Sequence, residues 1–286
     1  MAELISADEL AALRTSHDLV VADASVDLPA ARFDGDHQVR SGRHLWRQAH
    51  IPGSVHLDLV GELHDGSAGY HFAVPAAADL AGRLARRGIG PHTTVVTYDR
   101  GDMMWAARLW WTLRWVGVDA RVLDGGLPAW ASRYPVSAGA EPEPVAADPW
   151  TPAQTLDVWA DQAAVAAIAA GAAPGTLVCG LSGEAFAGRV PSRYRRRGHI
   201  PGSVNIPARA HVGDDGLLSG PDALRAPYAT ISSYPLVLYC GGGISASLNA
   251  LALTLTGVSD IRLYDGSLEQ WAADPSAPLQ VDLDGA

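Results

Sequence analysis

The sequence predicts an α/β fold built as two tandem domains, each a mostly parallel sheet with helices on both faces. Three observations predict it. Short apolar runs alternate with stretches of helical length and periodicity. The same phrases occur twice along the chain, once in each half. One strand candidate runs into a cysteine, three glycines and a helical stretch, the form of a ligand-binding turn at the carboxyl end of a parallel strand.

Taken in order, Ser6 with Glu9 forms a capping box that opens a short helix. Leu19-Val-Val-Ala, Thr94-Val-Val-Thr and Arg121-Val-Leu read as strands of the first half, with helices over 76–87 and 103–116. Leu177-Val, Leu236-Val-Leu and Ile261-Arg-Leu read as strands of the second half, with a helix over 244–255. Parallel neighbours need a crossover between them, so strand–helix alternation implies parallel sheets covered on both faces.

The repeat fixes the domain organisation. Gln48-Ala-His-Ile-Pro-Gly-Ser-Val-His-Leu returns as Arg197-Gly-His-Ile-Pro-Gly-Ser-Val-Asn-Ile. Val122-Leu-Asp-Gly-Gly-Leu-Pro-Ala-Trp130 returns as Leu263-Tyr-Asp-Gly-Ser-Leu-Glu-Gln-Trp271, and Tyr98-Asp99 falls on Tyr239-Cys240. The expected division is a first domain over 1–137, an exposed linker over 138–153 rich in Ala, Pro and Glu, and a second domain over 154–286.

Composition excludes several classes. Of 286 residues, 48% are hydrophobic and 18% charged, enough for full cores and too apolar for a disordered chain. The net charge of −10 argues against nucleic acid or an anionic membrane as partner. All 21 basic residues are arginine. No basic-then-apolar leader and no apolar run of about 20 residues is present, so neither a secretory signal nor a membrane span is expected. Two cysteines make no disulfide framework and point to a reducing cytoplasm, and no Cys/His cluster has zinc-ligand spacing. The oligomeric state is not legible.

The chemistry centres on Cys240, in Leu236-Val-Leu-Tyr-Cys-Gly-Gly-Gly-Ile-Ser. Glycines at a strand-to-helix turn aim successive N–H groups inward, and the helix start adds unpaired donors and partial positive charge. The N–H groups of Gly241, Gly242, Gly243, Ile244 and Ser245 would stabilise charge on a thiolate, the reactive form of cysteine. The plain alternative is a small buried thiol at a strand end. Three glycines have nothing to pack, which favours the cradle. A cysteine phosphatase would place an arginine six residues on to grip phosphoryl oxygens; Ala246 stands there.

The repeat is an internal control. His50 and His199 occupy the same phrase although only one half has the cysteine, so both read as turn or hydrogen-bonding residues. Trp130 and Trp271 read as core anchors. The first half has Asp99 and no glycine cradle at the cysteine's place, so one thiol site per chain is expected.

The paired His-Ile-Pro-Gly-Ser-Val phrases, Cys240 with its glycine loop, and Tyr264-Asp-Gly-Ser with Trp271 resemble the tandem-domain rhodanese family of sulfurtransferases. The resemblance implies two rhodanese-like domains, an inactive first and a catalytic second, with the site near their interface. It implies a Cys240 persulfide, charged by 3-mercaptopyruvate or thiosulfate and discharged to a thiol or cyanide, with no metal or organic cofactor. Thiosulfate-using members carry Cys-Arg-Lys-Gly-Val-Thr and mercaptopyruvate-using members Cys-Gly-Ser-Gly-Val-Thr; the loop here is nearer the second, with Gly242 replacing the serine. The family's substrate arginines fall on Gly180-Leu181 and Ala185-Phe186 and are absent. Within the cluster Arg189, Arg193, Arg195, Arg196 and Arg197, Arg193 is the expected replacement; a solvated basic loop is the alternative. His71 resembles a histidine that reaches the site from the inactive domain, but its acidic partner would fall at Val60. Cys179, at a neighbouring strand end, is either a buried structural thiol or a resolving partner for Cys240. The missing arginines also leave room for a low-turnover persulfide-binding or signalling module.

Overall fold

The computed structural model describes residues 3–14 and 18–282. The first half forms β1 (Leu4–Ile5), β2 (Leu19–Asp23), β3 (Val26–Asp27), β4 (Arg40–Ser41), β5 (Val55–His56), β6 (Thr94–Tyr98) and β7 (Asp119–Leu123). The second forms β8 (Trp159–Ala160), β9 (Thr176–Cys179), β10 (Val204–Asn205), β11 (Leu236–Tyr239) and β12 (Ile261–Tyr264). Two five-stranded sheets result, in the orders β1-β7-β6-β2-β5 and β8-β12-β11-β9-β10, and every pairing within them is parallel. The two orders are the same topology written twice. A small antiparallel pair, β3 with β4, is an addition peculiar to the first half.

The six strand candidates and the helices Ala77–Ala85, Met104–Trp115 and Ile244–Leu255 stand where the sequence puts them, the strands longer by one or two residues and the first two helices shorter by one or two at their ends. The Ser6–Glu9 capping box is present in full. The two-residue edge strands β1, β5, β8 and β10 carry no periodic signal and were beyond sequence reading.

Alternation along each central strand separates the cores. In β11, Leu236 and Leu238 face one core while Val237 and Tyr239 face another. The first core is continuous across both halves, because the Met104–Trp115 and Ile244–Leu255 helices pack against each other between the two sheets. The Met104–Trp115 helix is therefore buried almost all round, from Trp105 to Leu113.

The repeated phrases have a shared physical cause. Tyr98 Oη accepts the Ile51 N–H (3.2 Å) and lies 2.8 Å from Ser54 Oγ. Tyr239 Oη accepts the Ile200 N–H (3.1 Å) and donates to Ser203 Oγ (2.7 Å). The first set is buried and the second buried or half-buried, so the tyrosine and its Ile-Pro-Gly-Ser turn satisfy one another. His50 and His199 donate from Nδ1 to the carbonyls of Trp46 and Phe186. Trp130 and Trp271 donate their indole N–H to the carbonyls of Pro135 and Pro278. Between the halves, 138–153 contains no helix or strand and lies along the first half, with Glu141 on His50 and Gly53, and Trp150 on the Ile89 carbonyl.

Candidate active site

Cys240 follows β11 directly and is 1% exposed. Its backbone N–H donates to Ser267 Oγ (3.2 Å), its carbonyl accepts the Leu268 N–H (3.1 Å), and the Gly241 carbonyl accepts the Glu269 N–H (2.9 Å). The start of the Ser267–Ala273 helix thus clamps the cysteine loop from one side. On the other side Gly243, at φ +79°, caps the Ile244–Leu255 helix.

The three glycines have separate reasons. A Cβ on Gly241 would lie 2.8 Å from Tyr194 Oη, and one on Gly243 3.0 Å from Arg108 Nη1. Close packing therefore requires both, contrary to the expectation that the run has no packing role. A Cβ on Gly242 would meet Phe72 at 3.3 Å and Glu269 Oε2 at 3.7 Å, a site with room for a small side chain.

In the first half Asp99 ends β6 as Cys240 ends β11. Its Oδ1 accepts the N–H groups of Gly101 (2.9 Å) and Met103 (3.0 Å), and its Oδ2 those of Trp105 and Ala106 (both 3.0 Å). This loop is one residue longer, with Met103 in the left-handed capping place that Gly243 holds. Burial and the Asp99 charge push the neighbouring Asp102 carboxyl up to about 7.

Cys240 opens into a cavity of about 470 Å³ between the halves. The second half supplies Gly241, Gly242, Ile244, Ser245, Leu181, Arg193, Tyr194 and Arg209; the first supplies Leu28, His37, Phe72, Asp102 and Trp105. A larger cavity of about 600 Å³ lies beyond Asp102 and Arg209, but no thiol lines it.

Arg193 is on the wall, as the sequence reading expects. One Nη donates to the Pro29 carbonyl (2.8 Å), while its Nε is buried with no partner. Three other arginines of that run are used elsewhere: Arg189 pairs with Glu184, Arg196 donates to four carbonyls behind Trp271, and Arg197 pairs with Asp34. Arg209 is a second cation on the wall that the sequence reading missed, because nothing in its local pattern distinguishes it. Ser245 Oγ is also buried without a partner.

His71 is beside the cavity without lining it. Its Nδ1 lies 2.5 Å from Glu269 Oε1, so the acidic partner missing at Val60 comes from the other half. His37 Nδ1 lies 3.4 Å from the same oxygen, and the two imidazole centroids are 4.2 Å apart. Burial pushes the Glu269 carboxyl up, but the bonds from His37 and His71 outweigh it and hold the group below the usual carboxylate range.

Cys179 does not face Cys240. It pairs with Tyr239 across β9 and β11 and shares that residue's face, so Cys240 projects from the opposite side of the sheet. Burial pushes its thiol up to about 12. This alternation argues against a resolving role and fits a structural thiol.

The halves also reach into one another symmetrically. Asp124 accepts the Leu218 N–H (2.8 Å), and Asp265 accepts the Val74 N–H (3.0 Å). Asp265 also holds the buried Arg108, whose guanidinium donates to the Phe72 carbonyl (2.8 Å) and lies 5.0 Å over Trp159. These contacts set the walls of the Cys240 cavity against each other. Among the described residues no helix is long and apolar enough to cross a membrane.

Comparison with known proteins agrees with this architecture. The rhodanese-like domain family matches residues 6–133 and 188–274. SseB of Mycobacterium tuberculosis, which carries the name "putative thiosulfate sulfurtransferase", is 35% identical over 83% of this chain and 85% of its own. The human 3-mercaptopyruvate sulfurtransferase is 31% identical over 93% of this chain and 89% of its own. The crystal structure of the Escherichia coli 3-mercaptopyruvate enzyme SseA superposes with a TM-score of 0.79 at 27% identity, covering 93% of this chain and 99% of that one.

Proposed function

The chain belongs to the tandem-domain rhodanese family of sulfurtransferases, and from that premise we propose that Cys240 is its nucleophile and sole sulfur carrier. The observation that carries the reading is a thiol between β11 and a helix start, on a cavity whose walls hold Arg193 and Arg209. The Cys240 thiolate attacks the donor sulfur. With 3-mercaptopyruvate the C–S bond breaks, its electrons leave on the enolate of pyruvate, and a proton completes the ketoacid. The sulfur stays as a Cys240 persulfide. An acceptor thiolate, or cyanide, then attacks the outer sulfur, the S–S bond breaks, and the Cys240 thiolate is restored.

The loop N–H groups from Gly241 to Ser245 lower the energy of the sulfur anion in both steps, as preorganised dipoles do. Arg193 and Arg209 hold the donor carboxylate in place of the arginines absent near Leu181, and His71 supports the loop through Glu269. We favour 3-mercaptopyruvate over thiosulfate: a dianion needs cations in the loop itself, where Gly241 and Gly242 stand. The division at 138–153 and a cytoplasmic site of action complete the reading. The scaffold-only alternative gains nothing from relatives named as enzymes.

Incubation of the full chain with donor, followed by intact-mass and peptide analysis, is the test. One added sulfur on Cys240 is expected, and none on Cys179. A Cys240→Ser chain that still transfers sulfur at the parent's rate sinks the proposal.

A further inference from the structure

We propose that His37, His71 and Glu269 form a binding site for a divalent transition-metal ion of the zinc class, clamping the two halves beside the Cys240 cavity. Each residue offers one ligand atom, and these atoms lie within 4.8 Å of one another. Two imidazoles and a carboxylate are a donor set that suits zinc, which takes His nitrogen and carboxylate oxygen in tetrahedral geometry. No other such group is found among the described residues.

The geometry is close to ligation already. Two ligands bound at roughly 2.0–2.1 Å on a tetrahedral ion are about 3.3 Å apart. His37 Nδ1 and Glu269 Oε1 are separated by 3.4 Å. His71 Nδ1, at 2.5 Å from the same oxygen, must retreat by somewhat under an ångström. Its side chain is 41% exposed at the rim, so this movement displaces no core. His37 and Glu269, at 11% and 12%, are the fixed ligands.

A second observation points the same way. Glu269 Oε2 is buried with no hydrogen-bond partner. A buried carboxylate oxygen without a donor is costly, and a cation or a metal-bound water satisfies it. The Glu269 carboxylate brings negative charge to the cluster, which a divalent ion offsets. His37 and His71 belong to the first half and Glu269 to the second, so the ion ties the halves together. His37 also lines the Cys240 cavity, so the ion site borders the place where substrate binds.

The proposal is independent of the sulfur chemistry, and its test reads binding alone. The metal-free full chain is titrated with Zn²⁺ in competition with a chromophoric chelator. One ion per chain is expected, with affinity reduced at least tenfold in His37→Gln, His71→Gln and Glu269→Gln. Cys240→Ser is expected to bind within twofold of the parent, which separates this site from the cavity thiol. Co²⁺ in the same chain should give ligand-field absorption that His37→Gln removes. Circular dichroism without metal checks that each variant is folded; if Glu269→Gln is not, the His37→Gln/His71→Gln double variant decides. No stoichiometric ion, undiminished binding in the ligand variants, or a larger loss in Cys240→Ser overturns the assignment.

Discussion

Asp99 and Cys240 end equivalent strands, and the Asp99 carboxylate there accepts four backbone N–H groups at 2.9–3.0 Å. The first half thus displays what a loop of this kind does: it gathers donors onto one anion. In the first half the acceptor is a carboxylate built into the fold. In the second the same strand end carries a thiol, which becomes an anion on ionisation. Asp99→Asn is expected to destabilise the chain by about 2–3 kcal/mol, since the amide NH₂ confronts N–H donors that it cannot accept from. Denaturant unfolding measures this, and an unchanged midpoint would refute the reading of Asp99 as an internal ligand.

The two thiols should differ sharply toward an alkylating agent. Burial pushes Cys179 up to about 12, and it faces away from the cavity, so it is inert at pH 8. Cys240 lines the cavity and should be the one residue modified in the folded chain. Peptide mapping after brief iodoacetamide treatment decides it. Prompt modification of Cys179, or a Cys179–Cys240 disulfide under mild oxidation, contradicts the placement of the two thiols.

Much of this site was legible in the sequence, for identifiable reasons. Tyr239, Cys240 and the glycines are contiguous, and the second copy of each phrase marked which residues belong to the fold. His50 and His199 were read correctly because a catalytic residue does not need duplication. What escaped was the chemistry assembled across the interface. His71 was singled out through the family resemblance, but His37 and Glu269 come from two other distant segments, so no spacing rule joins the three. Arg209 sits on a short 3₁₀ turn whose sequence resembles any exposed loop. The separate needs of Gly241 and Gly243 arise from Tyr194 and Arg108, neighbours only in space.

Arg193 and Arg209 should act as the donor's carboxylate clamp. Losing a charge-assisted hydrogen bond costs about 1.5–3 kcal/mol, or roughly ten- to a hundredfold in affinity. Arg193→Ala and Arg209→Ala are therefore expected to raise KM for 3-mercaptopyruvate with little change in kcat, as lost ground-state binding does. Steady-state kinetics with both donors reads it. A higher kcat/KM for thiosulfate than for mercaptopyruvate in the parent would reverse the donor assignment.

The Arg108–Asp265 pair should be a stability determinant of the interface. Arg108 is 1% exposed, and its partner is anchored by Tyr70 and Val74 of the first half. Removing one member of a buried pair strands the other and typically costs about 3–5 kcal/mol. Arg108→Met and Asp265→Asn should each lower the unfolding midpoint, and the double variant should lose less than the two losses added. Simple additivity would show that the pair is not coupled.

His211 gives the chain an acid sensitivity of definite sign. Burial lowers its pKa to about 4 from the ordinary 6.5, and its ring lies 2.9 Å from Tyr228 Oη. The unfolded chain therefore takes up a proton near pH 6.5 that the folded chain refuses until about pH 4. Stability is whole above 6.5, falls progressively as pH drops through that window, and levels off below it. The loss from this residue is about 3 kcal/mol. His211→Gln should flatten the stability profile between pH 6.5 and 4; an unchanged slope would assign the acid loss to other groups.

Gly242→Ser is the most direct probe of the loop, because this is the one glycine of the three where a side chain fits. Its φ is not in the left-handed region, so the added Cβ brings no backbone strain there. The Cβ meets Phe72 at 3.3 Å, a contact that a ring at a cavity wall relieves by a shift of a few tenths of an ångström. Glu269 Oε2, 3.7 Å from that Cβ and lacking a partner, is within reach of the new hydroxyl. A serine there donates its one hydroxyl hydrogen to the orphaned oxygen and places a polar oxygen beside the cavity thiol. The expected variant is folded, within about 1 kcal/mol of the parent in stability, and faster with 3-mercaptopyruvate at low donor concentration. Gly241→Ser and Gly243→Ser, which collide with Tyr194 and Arg108, should instead lose stability and activity together. Equal behaviour of the three serine variants would mean that the loop adapts freely, and that its close packing does not shape the site.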